Sequence, residues 1–150
     1  MTLVRAALAA FSVCLAAAPV SAAPACHSPT AEALGREVAT HFQARTIAEL
    51  ARRLPNRPVT LTIEHSLSER RDRHTTRLAG FDDRILRIGR AAGRSEPHGR
   101  NVLEPMACAG RVCRFGPSSI LHNQLFLKEI TVTMVRGCLT VSRVHLLDGD

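Results

Sequence analysis

The chain has no tryptophan and no tyrosine, only five phenylalanines, and a single lysine among its twenty basic residues. With so few aromatic rings the core must be aliphatic, and no row of aromatic faces is available on which the bases of a nucleic-acid single strand could stack. Several catalytic signatures are missing too. There is no Gly-x-Ser-x-Gly elbow, no His-Glu-x-x-His helix and no glycine-rich phosphate loop, which removes the reaction classes that depend on them. Closely spaced cysteines occur once, at Cys108 and Cys113, whereas a structural zinc site typically draws on two such pairs. The four residues between them also differ from the two of a thioredoxin-type redox pair.

The longest apolar run, Ala6 to Val20, is too short to cross a hydrocarbon core of about 30 Å. Arg5 precedes it, and small residues follow at Ser21, Ala22 and Ala23. This is the pattern of a signal peptide over residues 1–22, leaving a single exported domain at 23–150 with no transmembrane segment. A lipidated Cys26, after Ala25, is the rival reading. Pro24 and the absence of an upstream leucine fit it poorly. Loss of the leader removes Cys14 and leaves Cys26, Cys108, Cys113 and Cys138. An even set in an exported chain implies two disulfides and permits three connectivities. If Ala109 to Val112 forms a four-residue hairpin connection, Cys108 faces Cys113, and Cys26 is left to pair with Cys138. The second bond would close a long loop, worth about 4 to 5 kcal/mol in the chain-entropy model.

Formal net charge is +7, and nineteen of the twenty basic residues are arginine. A positive surface concentrates polyanions. Arginine without lysine, beside abundant alanine, is also what GC-rich coding produces, so charge alone does not establish a ligand.

Ser28-Pro29 has the form of a helix start, and Leu34, Val38 and Phe42 recur on one helical face. Thr46 to Glu49 has the form of a capping box opening a second short helix that ends before Pro55. "VTLTIEHSL" from Val59 alternates as a strand, with His65 on the apolar face and Glu64 on the polar one. Residues 68–100 carry nine arginines against five acids. They read as a long basic connection with one short element around Arg84 to Ile88. "RVCRF" and "NQLFLKEITVTMV" follow as strands, and Arg136-Gly137 turns the chain into "CLTVSRVHLL". Along that last strand Leu139 and Val141 disagree in parity with Val144 and Leu146, which a bulge near Ser142-Arg143, or burial on both faces, would resolve. The final Asp-Gly-Asp reads as a solvated tail.

The expected fold is therefore α+β, with an N-terminal helix or helix pair packed on a four- to five-stranded antiparallel sheet. In layout alone it resembles cystatin-like and related cone-shaped folds. If the protein is an enzyme, Glu64 or His65 is the candidate base and His145 the candidate acid. Arg143 or an arginine of the long basic connection would be the electrophile, as in a basic secreted ribonuclease-like hydrolase. Arg70, Arg71, Arg73 and Arg77 are the anion-binding candidates. His65, His122 and His145 are the one conceivable metal set, and no cofactor is expected. The leading reading is a periplasmic or secreted, disulfide-stapled binding domain without a catalytic site. Its partner is unknown from sequence, with an envelope protein or a polyanion as the options. The third reading is a structural accessory subunit of an envelope complex.

Overall fold

The computed structural model describes residues 26–65, 72–93, 96–97, 106–116 and 124–149. The leader, Arg70, Arg71 and His122 lie outside the described residues.

Helix α1 spans Ala31–Ala44. Its N-cap is Thr30, two residues beyond the expected Ser28, and the Thr30 hydroxyl accepts the Ala33 N–H at 3.1 Å. A serine or threonine oxygen at this position satisfies an amide that the first turn leaves without a carbonyl. The helix buries Leu34, Val38 and Phe42 and ends at Arg45, whose φ of 60° stops further winding. Helix α2 spans Ile47–Ala51. Thr46 occupies its N-cap position, but its hydroxyl lies 2.8 Å from His41 Nδ1, so the expected capping box does not form. The carboxylate of Asp83 takes its place and accepts the Ala48 N–H at 2.8 Å.

Strand β1 is Val59–His65 and β2 is Arg73–Leu78. Helix α3 is Arg84–Gly93, and β3 is the two-residue Glu96–Pro97. The stretch read as a basic connection thus contains an edge strand and a ten-residue helix. Strand β2 buries only Leu78, so it lacks the apolar alternation that would have announced it. Helix α3 packs Ile85 and Leu86 into the core. It comes so close to the sheet that a Cβ added at Gly89 would lie 2.6 Å from Leu125 Cδ2 and 3.2 Å from Leu146 Cδ1.

Strands β4 (Met106–Ala109) and β5 (Val112–Phe115) form a hairpin, followed by β6 (Gln124–Val135) and β7 (Cys138–Gly149). The β4–β5 connection is the two-residue Gly110-Arg111, shorter than the four residues expected, with Gly110 at φ +59°. Cys108 and Cys113 are register partners and are disulfide-bonded, with a Cα separation of 4.0 Å. The β6–β7 turn places Arg136 and Gly137 at φ 50° and 81°, the positive pair required by a two-residue turn that follows strand twist. Beside it, Cys138 is disulfide-bonded to Cys26, which ties the start of the domain to the hairpin.

The sheet order is β2-β1-β7-β6-β5-β4, with β3 against β6. It is mixed, which corrects the all-antiparallel expectation: β1 runs parallel to β7, and β3 parallel to β6. Local patterns specify hairpins, whereas a parallel pair joins segments distant in sequence and leaves no turn signal. All three helices lie on one face, over Leu61, Ile63, Ile130, Val144 and Leu146. The other face carries the alternate residues of the same strands, among them Glu64, Arg77, Glu129 and Arg143.

Two irregularities set which side chains reach that outer face. Leu127 pairs with Leu146 and Glu129 with His145, so Lys128 is an extra residue in β6. Thr131 pairs with Arg143 and Val132 with Val141, so Ser142 is an extra residue in β7. Each bulge inverts side-chain parity. The second brings Val141 and Val144 both into the core and directs Arg143 outward.

Candidate functional site

At the outer face, Glu64 Oε2 is the meeting point of three basic groups. Lys128 Nζ is 2.8 Å away, His145 Nε2 is 3.0 Å away and Arg73 Nη2 is 3.4 Å away. Each arrives from a different strand. Arg73 is the register partner of Glu64 on β2, His145 projects from β7, and Lys128 reaches across from its bulge in β6. Glu64 is only 8 % exposed. The Lys128 hydrogen bond is the chief force holding its carboxyl down, from an ordinary 4.5 to about 2. Burial opposes it, while the charge of Lys128, the charge of His145 and the Arg73 hydrogen bond assist. His145 is pushed below its ordinary value, first by burial and then by the positive charge of Lys128, against the pull of Glu64. A carboxylate held this acidic and enclosed by cations is a poor proton acceptor. The cluster is built as an ion-paired buttress between four strands.

The four catalytic candidates are consequently divided. Glu64, His145 and Arg143 share the outer face, whereas His65 projects to the helix side. There His65 Nδ1 lies 3.1 Å from Asp148 Oδ2. Asp148 is wholly buried within β7, which corrects the reading of the C-terminal residues as a solvated tail. Opposite faces also dismantle the three-histidine metal set, since His65 and His145 cannot converge. Among the described residues no group of three metal-ligating side chains comes together.

Two outward-facing rows from Glu64, the outer face changes character. Arg77 on β2, Thr60 on β1, Arg143 on β7 and Thr131 on β6 stand side by side. Arg57 approaches from the segment before β1. Arg111 approaches from the β4–β5 turn, whose carbonyl accepts the Val132 N–H at 2.8 Å. These residues line a polar cavity of about 420 Å³ together with Thr133 and Ser142, and no acidic side chain lines it. Among the described residues Arg36, Arg73, Arg84 and Arg114 are ion-paired with carboxylates, and none of the four cavity arginines is.

Of the arginines proposed from sequence to bind anions, Arg77 belongs to this cavity and Arg73 to the Glu64 cluster. Arg57 and Arg111 were missed because both lie outside the basic stretch of residues 68–100. Lys128 was missed as well, although the change of apolar parity between Leu127 and Ile130 is the mark of the bulge that carries it.

No protein-family model matches the chain, and neither a characterised protein nor a solved structure matches it. The two disulfides and the α+β architecture define a small disulfide-stabilised domain. Among the described residues no helix is long and apolar enough to cross a membrane.

Proposed function

We propose that the protein is an exported binding domain without a catalytic site, and that it holds an anionic partner against the outer face of its sheet. The observation that carries this reading is the contrast between the two halves of that face. Around Glu64 the cations share an ion-paired carboxylate, while Arg57, Arg77, Arg111 and Arg143 crowd one cavity with no acid among its walls. Like charges held together on a rigid sheet repel one another, and the repulsion is relieved when an anion enters. The disulfides support an oxidising, extracytoplasmic compartment, periplasmic or secreted, as does the leader-like N-terminus.

The rival hydrolase would draw on the same face. It is disfavoured because Glu64 is held acidic by Lys128 and Arg73 beside it and His65 belongs to the other side of the sheet. Retention on immobilised dextran sulfate, with neutral dextran as control, tests the binding reading. Retention is expected to fall steeply with added salt as counterions compete. Retention equal on both matrices, or indifferent to salt, would remove the outer face from the account and favour a protein partner of the envelope.

A further inference from the structure

The arginine cavity has a geometry as well as a charge. Its row begins at Arg77 on β2 and passes through Thr60 to Arg143 and Thr131. Strands lie about 4.8 Å apart, so Arg77 and Arg143 leave the sheet about 10 Å from each other with Thr60 between them. Guanidinium groups on stems of that length can converge on one tetrahedral anion above the threonine. Arg111 closes the far side from the β4–β5 turn. Along the strands, the next positions on the outer face are Thr62 and His145, followed by Glu64, with Glu129 beside His145 on β6. Glu129 accepts from Arg114 at 3.0 Å, and Glu64 is surrounded as described. In this direction both carboxylates are already ion-paired, and their partners Arg73, Lys128 and Arg114 are the more exposed side chains. The cavity is where, among the described residues, the arginines of this face stand without a carboxylate partner.

We infer that the cavity bounded by Arg57, Arg77, Arg111 and Arg143 seats a phosphate or sulfate ester group of its ligand. The inference rests on the anion-binding reading above and narrows its ligand class. Arginine forks match the paired oxygens of such an ester in two-point contacts that a lysine cannot reproduce. Thr60 and Thr131 add hydroxyl donors at the floor. Ser142 does not serve as a donor, because its hydroxyl already donates to the Thr131 carbonyl at 2.9 Å. The volume of about 420 Å³ accommodates an ester group with part of one sugar-sized substituent. Among the described residues no aromatic ring lines the cavity for base or sugar stacking, so recognition falls on the ester oxygens.

The test is calorimetric titration of the disulfide-bonded protein with glucose 6-phosphate and with glucose 6-sulfate, glucose serving as the neutral control. Long dextran sulfate is titrated in parallel. One ester per chain is expected, with glucose silent. R77A and R143A should each weaken binding at least tenfold, R143K should restore only part of it, and R36A on helix α1 should leave it unchanged. Circular dichroism and intact disulfides check that each variant is folded. Tighter binding of the phosphate assigns the site to phosphate esters, and tighter binding of the sulfate assigns it to sulfated glycans. If dextran sulfate binds but neither monoester binds or competes, the ester inference falls while the anion-binding reading survives. If no anion binds, both fall. Ester binding that persists undiminished in R77A and R143A would also overturn the assignment.

Discussion

Lys128 Nζ and Glu64 Oε2 are 2.8 Å apart, although β7 runs between the strands that carry them. The contact exists because Lys128 is the extra residue of a bulge in β6 and is free to lean over its neighbour. It is also the chain's only lysine. Replacing it by methionine preserves the stem and removes the charge. Glu64 would retain Arg73 and His145 but lose the partner that most lowers its pKa. An expected loss of about 1 to 3 kcal/mol at neutral pH follows from leaving a largely buried carboxylate less well compensated. Urea unfolding of K128M against the parent measures it. An unchanged midpoint would mean that the lysine is a surface ornament.

Stability should decline on acidification in two stages. His145 has a folded pKa below its ordinary 6.5, so the unfolded chain takes up that proton first and stability begins to fall as pH drops through that region. Glu64 has a folded pKa of about 2 against 4.5. Its contribution is complete above 4.5 and is lost as pH falls toward 2, with an amplitude of about 1 to 3 kcal/mol after allowance for its solvent-exposed partners. Both groups act in the same direction. Unfolding free energy measured from pH 7 to pH 2 should show this decline, and E64Q should flatten its lower stage. A decline of equal size in E64Q would assign the acid sensitivity elsewhere.

Much of the fold was legible where a local pattern specifies it. The four-residue spacing of Leu34, Val38 and Phe42 gave α1, alternation from Val59 to Ile63 gave β1, and the Arg136-Gly137 turn gave the β6–β7 hairpin. The parity conflict along β7 pointed to a bulge near Ser142. Strand β2 escaped notice because an edge strand that buries one residue has no alternation to read. Its neighbour α3 was shortened because an arginine-rich stretch with Gly89 resembles a loop, whereas Gly89 is there for close approach to Leu125. At the site, Glu64, His145 and Arg143 were named together with His65, and adjacency in sequence concealed that consecutive strand residues serve different faces. The Arg57 and Arg111 contributions arise from tertiary placement alone, so no spacing announces them.

The two disulfides should differ in worth. Cys26–Cys138 closes a separation of 112 residues and Cys108–Cys113 one of 5. In the chain-entropy model the first is worth about 5 kcal/mol and the second about 2 kcal/mol. The first also anchors the start of the domain to the β6–β7 hairpin, while the second reinforces a hairpin already closed by a two-residue turn. Thermal unfolding of C26A/C138A should therefore show the larger fall in midpoint relative to the parent. A larger fall in C108A/C113A would imply that packing of Cys113, which is wholly buried, outweighs chain entropy.

RNA provides the sharpest separation of the binding reading from the hydrolytic one. Cleavage by acid–base chemistry needs one group that accepts a proton and another that donates it within reach of the same phosphodiester. Glu64 is held ionised chiefly by the Lys128 hydrogen bond, and His65 lies behind the sheet against Asp148. His145 is thereby left without a second proton-transfer group among the proposed residues. Arg143 and Arg77 can still hold a phosphate, so RNA is expected to bind weakly, with affinity falling as salt rises, and to remain intact. Incubation of end-labelled RNA with micromolar protein should give no cleavage above that of the H145A variant. Cleavage by the parent that disappears in H145A would show that the outer face does chemistry, and the arginine cavity would then be its phosphate-binding half.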